Sequence, residues 1–287
     1  MPWLLRHLSH WPLARLHRLG GLLGWLSYRL SPTYRRRLDA QLAQAGVPPG
    51  VAPAAVREAG RMVAELPRLW LGAPGTVPLR CEGTEVVEAA LAEGRGLVLL
   101  TPHLGCFEVT AQAFAARWGQ AHPLTVLYRP ARQAWLHAVM AASRDRPGLR
   151  AVPADLGGVR QMLRALKRGQ VVGLLPDQVP PEGMGVWAPF FGKPAYTMTL
   201  AARLVQQTGA AVLLCWGERL PGGAGHVVHF SPFTEVLPAE VEAQAESAAA
   251  INRAMERLIL ACPQQYLWGY DRYKAPRQIA LEPPSAD

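Results

Sequence analysis

The stretch Gly96-Leu97-Val98-Leu99-Leu100-Thr101-Pro102-His103-Leu104-Gly105-Cys106-Phe107-Glu108 runs from an apolar segment into a histidine and, five residues on, a carboxylate. At about 100° per residue, an offset of five sets two side chains about 140° apart on one helix, so His103 and Glu108 would not share a face. The spacing works when the helix starts between them. Pro102 disfavours helix at Thr101, and Gly105 suits the N-cap. The pattern therefore predicts a strand over 97–100, a loop carrying His103, and a helix over 105–118. Glu108 then sits in the first helical turn, where the positive helix end favours a carboxylate. A histidine whose second nitrogen is held by a carboxylate is fixed in tautomer and strengthened as a base, so His103 and Glu108 are the catalytic candidates. A loop histidine beside a helix-capping Glu is also ordinary structure, and the motif alone leaves both readings open.

Outward from this stretch the pattern repeats. Helices are expected over 54–70, 85–93, 133–142, 158–167, 197–207 and about 240–260, and strands over 124–128, 149–152, 171–175, 211–216 and 226–230. Short apolar strands alternating with amphipathic helices predict an α/β fold with a mainly parallel sheet flanked by helices. Ligands bind such sheets at the carboxyl ends of the strands. Three polar motifs fall there: Pro102-His103, Tyr128-Arg129-Pro130 and Pro176-Asp177-Gln178. No Walker A or GxGxxG stands at a strand end, so nucleotide binding is unsupported.

The chain has 287 residues, half of them apolar, and a formal net charge of +9. That favours anionic partners, and arginine, which outweighs lysine here, suits phosphate. No nucleic-acid module is recognisable. Cys81, Cys106, Cys215 and Cys262 lack any CxxC pairing, which indicates neither a zinc site nor a disulfide framework. Cys106 reads as a small buried filler rather than a nucleophile. Residues 1–45 are expected to form an amino-terminal helical appendage ahead of an α/β domain over 46–287. Trp3, Trp11 and Trp25 among Arg6, Arg15, Arg18 and Arg29, followed by Arg35-Arg36-Arg37, fit an interfacial anchor on anionic lipid as well as a helical hairpin packed on the domain. Its charge-free stretches are too short to span a bilayer.

Five motifs stand in order: His103-x4-Glu108, Tyr128-Arg129-Pro130, Pro176-Asp177-Gln178, Pro189-Phe190-Phe191-Gly192, and Gln265-Tyr266-Leu267-Trp268 with Arg272-Tyr273-Lys274. In that order, and with the basic apolar amino terminus, the chain resembles the late lipid A acyltransferases, the bacterial lauroyl/myristoyl transferases. The resemblance implies a fold similar to the glycerol-3-phosphate acyltransferases. It also implies transfer of a fatty acyl chain from acyl carrier protein to a hydroxyl of a lipid A precursor or similar phosphorylated glycolipid. The expected location is the cytoplasmic face of the cell inner membrane, peripheral or N-terminally anchored among anionic lipids. One departure is Gly269-Tyr270-Asp271-Arg272, where many relatives carry a His-Arg pair, which bears on the acceptor.

On this reading His103 deprotonates the acceptor hydroxyl, and Glu108 orients His103. The thioester is already activated, so neither an enzyme nucleophile, a metal nor a resident cofactor is required; the acyl group arrives on the carrier's phosphopantetheine. Backbone N–H groups near Gly105 are candidate oxyanion donors. Arg129 and Arg144 are alternative donors or phosphate ligands. Asp177 and Gln178 either cap a turn or contact substrate. Phe190-Phe191-Gly192 reads as an aromatic turn, with Lys193 a candidate phosphate ligand. Trp268 and Tyr270 either pack the carboxyl terminus or wall an acyl chain. The basic surface fits the acidic carrier protein and lipid phosphates alike. The same His/Glu pair could also activate water as a thioesterase, and another glycolipid could be the acceptor.

Overall fold

The computed structural model describes residues 2–73, 75–128, 133 and 146–278. Four helices come first: α1 (Pro2–Ser9), α2 (Leu13–Leu30), α3 (Pro32–Gln44) and α4 (Ala52–Leu71). Ser31 starts α3 by accepting the Tyr34 N–H on its hydroxyl, with Pro32 at the first helical position. Helices α2 and α4 touch backbone to backbone. A Cβ on Gly60 would lie 2.0 Å from the Gly20 carbonyl oxygen, and one on Gly24 2.3 Å from that of Val56, so the crossing requires glycine. Leu13, Leu16 and His17 are buried on this face, whereas Leu22, Leu23, Trp25 and Leu30 are exposed on the other. Among the described residues no helix is long and apolar enough to cross a membrane.

The rest is a covered sheet. Its strands are β1 (Leu79–Glu82), β2 (Leu97–Leu100), β3 (Leu124–Tyr128), β4 (Leu149–Pro153), β5 (Val171–Leu174), β8 (Ala211–Arg219) and β9 (His226–Pro232), in the order β1-β9-β8-β2-β5-β3-β4. The five from β8 to β4 run parallel; β9 is antiparallel to β8, and β1 is parallel to β9. Side-chain alternation divides the core in two. Val98, Leu100, Val172 and Leu174 face α7 (Leu156–Lys167), α8 (Leu200–Thr208) and α9 (Gln244–Ala261). Leu97, Leu99 and Val171 face α5 (Thr84–Ala92) and α6 (Phe107–Trp118). Burial on both faces explains the unbroken apolar run of β2, each side chain contributing about 1.5–3 kcal/mol.

The strands at 97–100 and 124–128 lie where the periodicity puts them, and the α/β class with its mainly parallel sheet holds. The helix expected over 133–142 lies, beyond its first residue, outside the described residues. Two features escape the pattern. Strand β1 is a short, largely exposed edge with no alternation. A separate antiparallel hairpin, β6 (Gly185–Phe190) and β7 (Lys193–Met198), occupies residues up to Met198, so the helix expected from 197 begins at Leu200. The hairpin turns at Phe191 and Gly192, with φ of 46° and 73°, the positive values that a two-residue hairpin loop demands. The Phe191 backbone is held there: its N–H donates to Glu256 at 2.7 Å, and its carbonyl accepts from Gln44 at 2.6 Å.

The connections that leave β2 and β5 run on opposite faces of the sheet. From β2 the chain passes through α6 toward β3, and from β5 through the hairpin and α8 to β8 on the far side of β2. The carboxyl ends of these two neighbouring strands therefore open a crevice, the usual ligand position in such sheets.

Candidate functional site

Leu100 pairs with Leu174 across β2 and β5, and the Thr101 N–H still donates to the Leu174 carbonyl. Three residues beyond that pair on each strand stand His103 and Asp177. Extension of the sheet register past both strand ends is thus what joins residues 74 apart in sequence. The Asp177 carboxylate accepts from His103 Nδ1 at 2.8 Å with one oxygen and from the His103 backbone N–H at 2.9 Å with the other. Both ring orientation and loop position are fixed by one side chain.

Asp177 is 2 % exposed. Burial alone would push its carboxyl up, but the charge and hydrogen bonds of His103, with the nearby Arg272 cation, hold it below the usual carboxylate range. An ionised Asp177 accepts only, so His103 Nδ1 carries a proton in either state, and in the neutral imidazole Nε2 keeps the lone pair. The Gln178 amide lies 3.0 Å from Nε2 and donates to it. Arg272 is fully buried, donating to the Tyr196 carbonyl and the Thr197 hydroxyl at 2.7 Å each. The buried Tyr266 hydroxyl is pushed well up, by burial first and then by the Asp177 charge.

Two expectations are corrected by this geometry. The carboxylate on His103 Nδ1 belongs to Asp177 and not to Glu108, because the strand register reaches the ring first. Glu108 does lie in the first turn of α6, where it lines a slot and feels the Arg146 charge. Asp177 and Gln178 both engage His103. The Gly105 N–H is already donated to the Gln265 carbonyl at 2.9 Å and so is no free oxyanion donor. Gly105 itself turns the loop, with φ of 59° and a Cβ position only 2.0 Å from the Gly217 carbonyl oxygen. The first turn of α6 begins at Phe107, where a helix start presents backbone N–H groups. Phe107 packs its ring 4.8 Å from that of His103, so this helix end adjoins the imidazole. Lys193 opens β7 with its ammonium 4.8 Å from the centre of the Tyr273 ring. Arg129 and Arg144 lie outside the described residues. Cys106 is buried, and burial with the neighbouring Glu65 charge raises its thiol well above normal, which leaves it protonated and a filler.

The loop rests on a buried charge cluster that no local spacing announces. The Arg219 guanidinium, 3 % exposed at the end of β8, donates to Glu65 at 2.9 and 2.5 Å, to Glu58 at 2.7 Å and to the Gly105 carbonyl at 3.1 Å. His17 of α2 and His226 of β9 meet the same Glu65 oxygen at 2.9 and 3.2 Å. Burial opposes ionisation of Glu65, but Arg219 and these hydrogen bonds hold its carboxyl well below the usual range. Ligand atoms of His17, Glu65 and His226 lie within 4.8 Å of one another, yet Arg219 already faces both Glu65 oxygens, and a cation would have to displace it.

Beside His103 a slot descends between α6 and the sheet. Thr101, Leu127, Leu175, Phe107 and Glu108 line its mouth, and Leu99, Leu124, Val126, Leu149 and Gly173 its depth, around a narrow cavity of about 70 Å3. From Leu127 to Leu124 the strand rise of about 3.3 Å per residue gives it roughly 10 Å of depth. Gly173 faces it midway along a central strand, the kind of position where a ligand approaches the backbone.

Among known proteins, the sequence profile of the bacterial lipid A biosynthesis acyltransferases matches residues 7–275. The chain is 28 % identical to the lipid A biosynthesis lauroyltransferase of Escherichia coli (strain K12) and 26 % identical to the lipid A biosynthesis palmitoleoyltransferase of the same strain, in each case over 67 % of this chain and 60 % of the relative. It is also 30 % identical, over 47 % of this chain and 43 % of the relative, to a phosphatidylinositol mannoside acyltransferase of Mycobacterium tuberculosis.

Proposed function

Because this chain belongs to the bacterial lipid A biosynthesis acyltransferase family, we propose that it transfers a fatty acyl chain from acyl carrier protein to a hydroxyl of a lipid A precursor. The observation that carries this is the Asp177–His103 pair at the sheet crevice, with the slot beside it. The acceptor hydroxyl takes the place of the Gln178 amide at His103 Nε2 and gives up its proton as its oxygen attacks the thioester carbonyl. Asp177 stabilises the imidazolium that forms. First-turn N–H groups of α6 stabilise the tetrahedral oxyanion. Collapse breaks the C–S bond, and the imidazolium returns its proton to the leaving thiolate. The acyl tail lies in the slot, and Glu108 with Arg146 sets the field at its mouth.

The exposed apolar face of the amino-terminal helices supports peripheral attachment to the inner membrane, with the site toward the cytoplasm. Trp3, Leu22, Leu23, Trp25 and Leu30 present apolar surface beside Arg29, whose guanidinium lies 5.2 Å from the Trp25 ring centre. The phosphatidylinositol mannoside relative supports testing a second acceptor class.

The test uses the full chain on anionic vesicles with acyl carrier protein thioester. Free thiol is followed, and the product is identified by mass spectrometry with a bisphosphorylated lipid A precursor, a phosphatidylinositol mannoside, or no acceptor. Acyl transfer to the lipid A precursor that disappears in His103→Ala is expected. Thiol release at equal rate without any acceptor would make the protein a thioesterase.

A further inference from the structure

The carrier that the proposed reaction requires needs a place to dock. On the sheet face opposite α6, a groove between edge strand β4 and helix α7 is lined by Arg150, Arg160, Arg164, Arg168, Gln161 and Gln170, and no acidic residue lines it. All four arginines are exposed. Among the described residues none of these four meets a carboxylate, and they stand together in one groove. Arg160 and Arg164 stand one turn apart on α7 and Arg168 follows at its C-cap, a row about 12 Å long. Like charges at that spacing repel, so the row is destabilising in the free protein and is relieved by an anionic partner.

We propose that this arginine row is the docking surface for an acidic carrier protein; the inference rests on the reaction proposed above. Charge complementarity fits an acidic helix laid along α7. Delivery fits the Arg160 end of the row: β4 lies three strand spacings, about 14 Å, from β2, and Arg160 stands about one helical turn from Leu156 at the strand carboxyl ends, whereas Arg168 lies toward the amino ends. Leu156, exposed at the end of α7 nearest the strand carboxyl ends, adds an apolar contact on the side of the site. A lipid surface is the less fitting occupant, because the groove carries no aromatic side chain, whereas the amino-terminal helices expose Trp3 and Trp25.

The experiment compares the full chain with Arg160→Glu/Arg164→Glu and with the equal charge change Arg80→Glu/Arg95→Glu, on the far edge strand β1 and just ahead of the central strand β2. Three quantities are read: the Kd for fluorescently labelled acyl carrier protein by anisotropy, kcat/KM with the carrier-bound thioester and with the small acyl-pantetheine thioester, and binding to phosphatidylglycerol vesicles. The expected result is a Kd and a carrier kcat/KM worse by about tenfold or more in the first variant alone, with a weaker salt dependence. Acyl-pantetheine turnover and vesicle binding stay within about twofold. Equal loss with both donors, an unchanged Kd, or loss of vesicle binding in place of carrier binding each overturns the proposal. Absence of transfer by the unsubstituted enzyme from either donor, with the Kd pattern intact, refutes the proposed reaction and leaves the docking surface standing.

Discussion

Replacing Asp177 with asparagine preserves shape and removes charge, which isolates the electrostatic part of its contact with His103. Two N–H donors of His103, at 2.8 and 2.9 Å, point at the two carboxylate oxygens. An amide has one oxygen to offer. If that oxygen keeps the backbone N–H, its NH2 group donates to Nδ1, which forces the proton onto Nε2 and removes the lone pair that the acceptor hydroxyl needs. Stabilisation of the imidazolium is lost as well. Wrong tautomer and missing charge together cost about 10^3- to 10^4-fold in kcat, ~4 to 5.5 kcal/mol. Initial rates of thiol release with acceptor present, alongside a thermal melt, measure it. Glu108→Gln, altering a carboxylate that does not hold Nδ1, is expected to cost about 10^2-fold. A folded Asp177→Asn enzyme within tenfold of the parent, or one more active than Glu108→Gln, would refute the assignment.

Gly173→Leu fills the slot halfway down. A Cβ there would meet only side chains, Val126 at 3.1 Å and Leu124 at 3.6 Å, so the strand tolerates it, and the preferred acyl chain should shorten while short-chain transfer persists; equal loss across a chain-length series counts against the slot. Leu22→Glu/Leu23→Glu/Trp25→Glu should release the protein from anionic vesicles without lowering its melting temperature, since these side chains are exposed; retention on vesicles would sink the anchor. Deleting residues 1–30 is a poorer test, because it also strips buried Leu16 and His17 from α4. Asp177 and Glu65 both have folded-state pKa values depressed below the unfolded range of about 3.9 to 4.3. Their stabilisation is therefore fully present above that range and is lost as pH falls through the lower folded values, so the melting temperature should drop below about pH 4. Glu65→Gln, which leaves the Arg219 cation short of its partner, should cost about 3–5 kcal/mol near neutral pH and flatten that acid slope. An unchanged slope would remove Glu65 from the account.

Local chemistry made much of this protein legible. The run Leu97–Leu100 is apolar throughout because both its faces are covered, and Pro102 ends it where His103 must leave the sheet. Periodicity thus located the strand, the loop and the helix after it, and the ordered motifs identified the family. Strand β1 and the β6–β7 hairpin were hidden because edge and hairpin strands lack two covered faces and so lack a pattern.

What no local pattern could supply was the partner of His103. Glu108 is five residues away and Asp177 is 74, and proximity in sequence favours the former. The parallel register of β2 and β5 decides otherwise, because two strands aligned at Leu100 and Leu174 carry the residues three beyond them to the same point. The same holds for Arg219, Glu58, Glu65, His17 and His226, ordinary residues in the chain that become one buried cluster under the loop. Residue type and spacing determined which segments fold and which side chains carry a proton. Strand order and register, set by burial of a two-sided core, decided which of them meet.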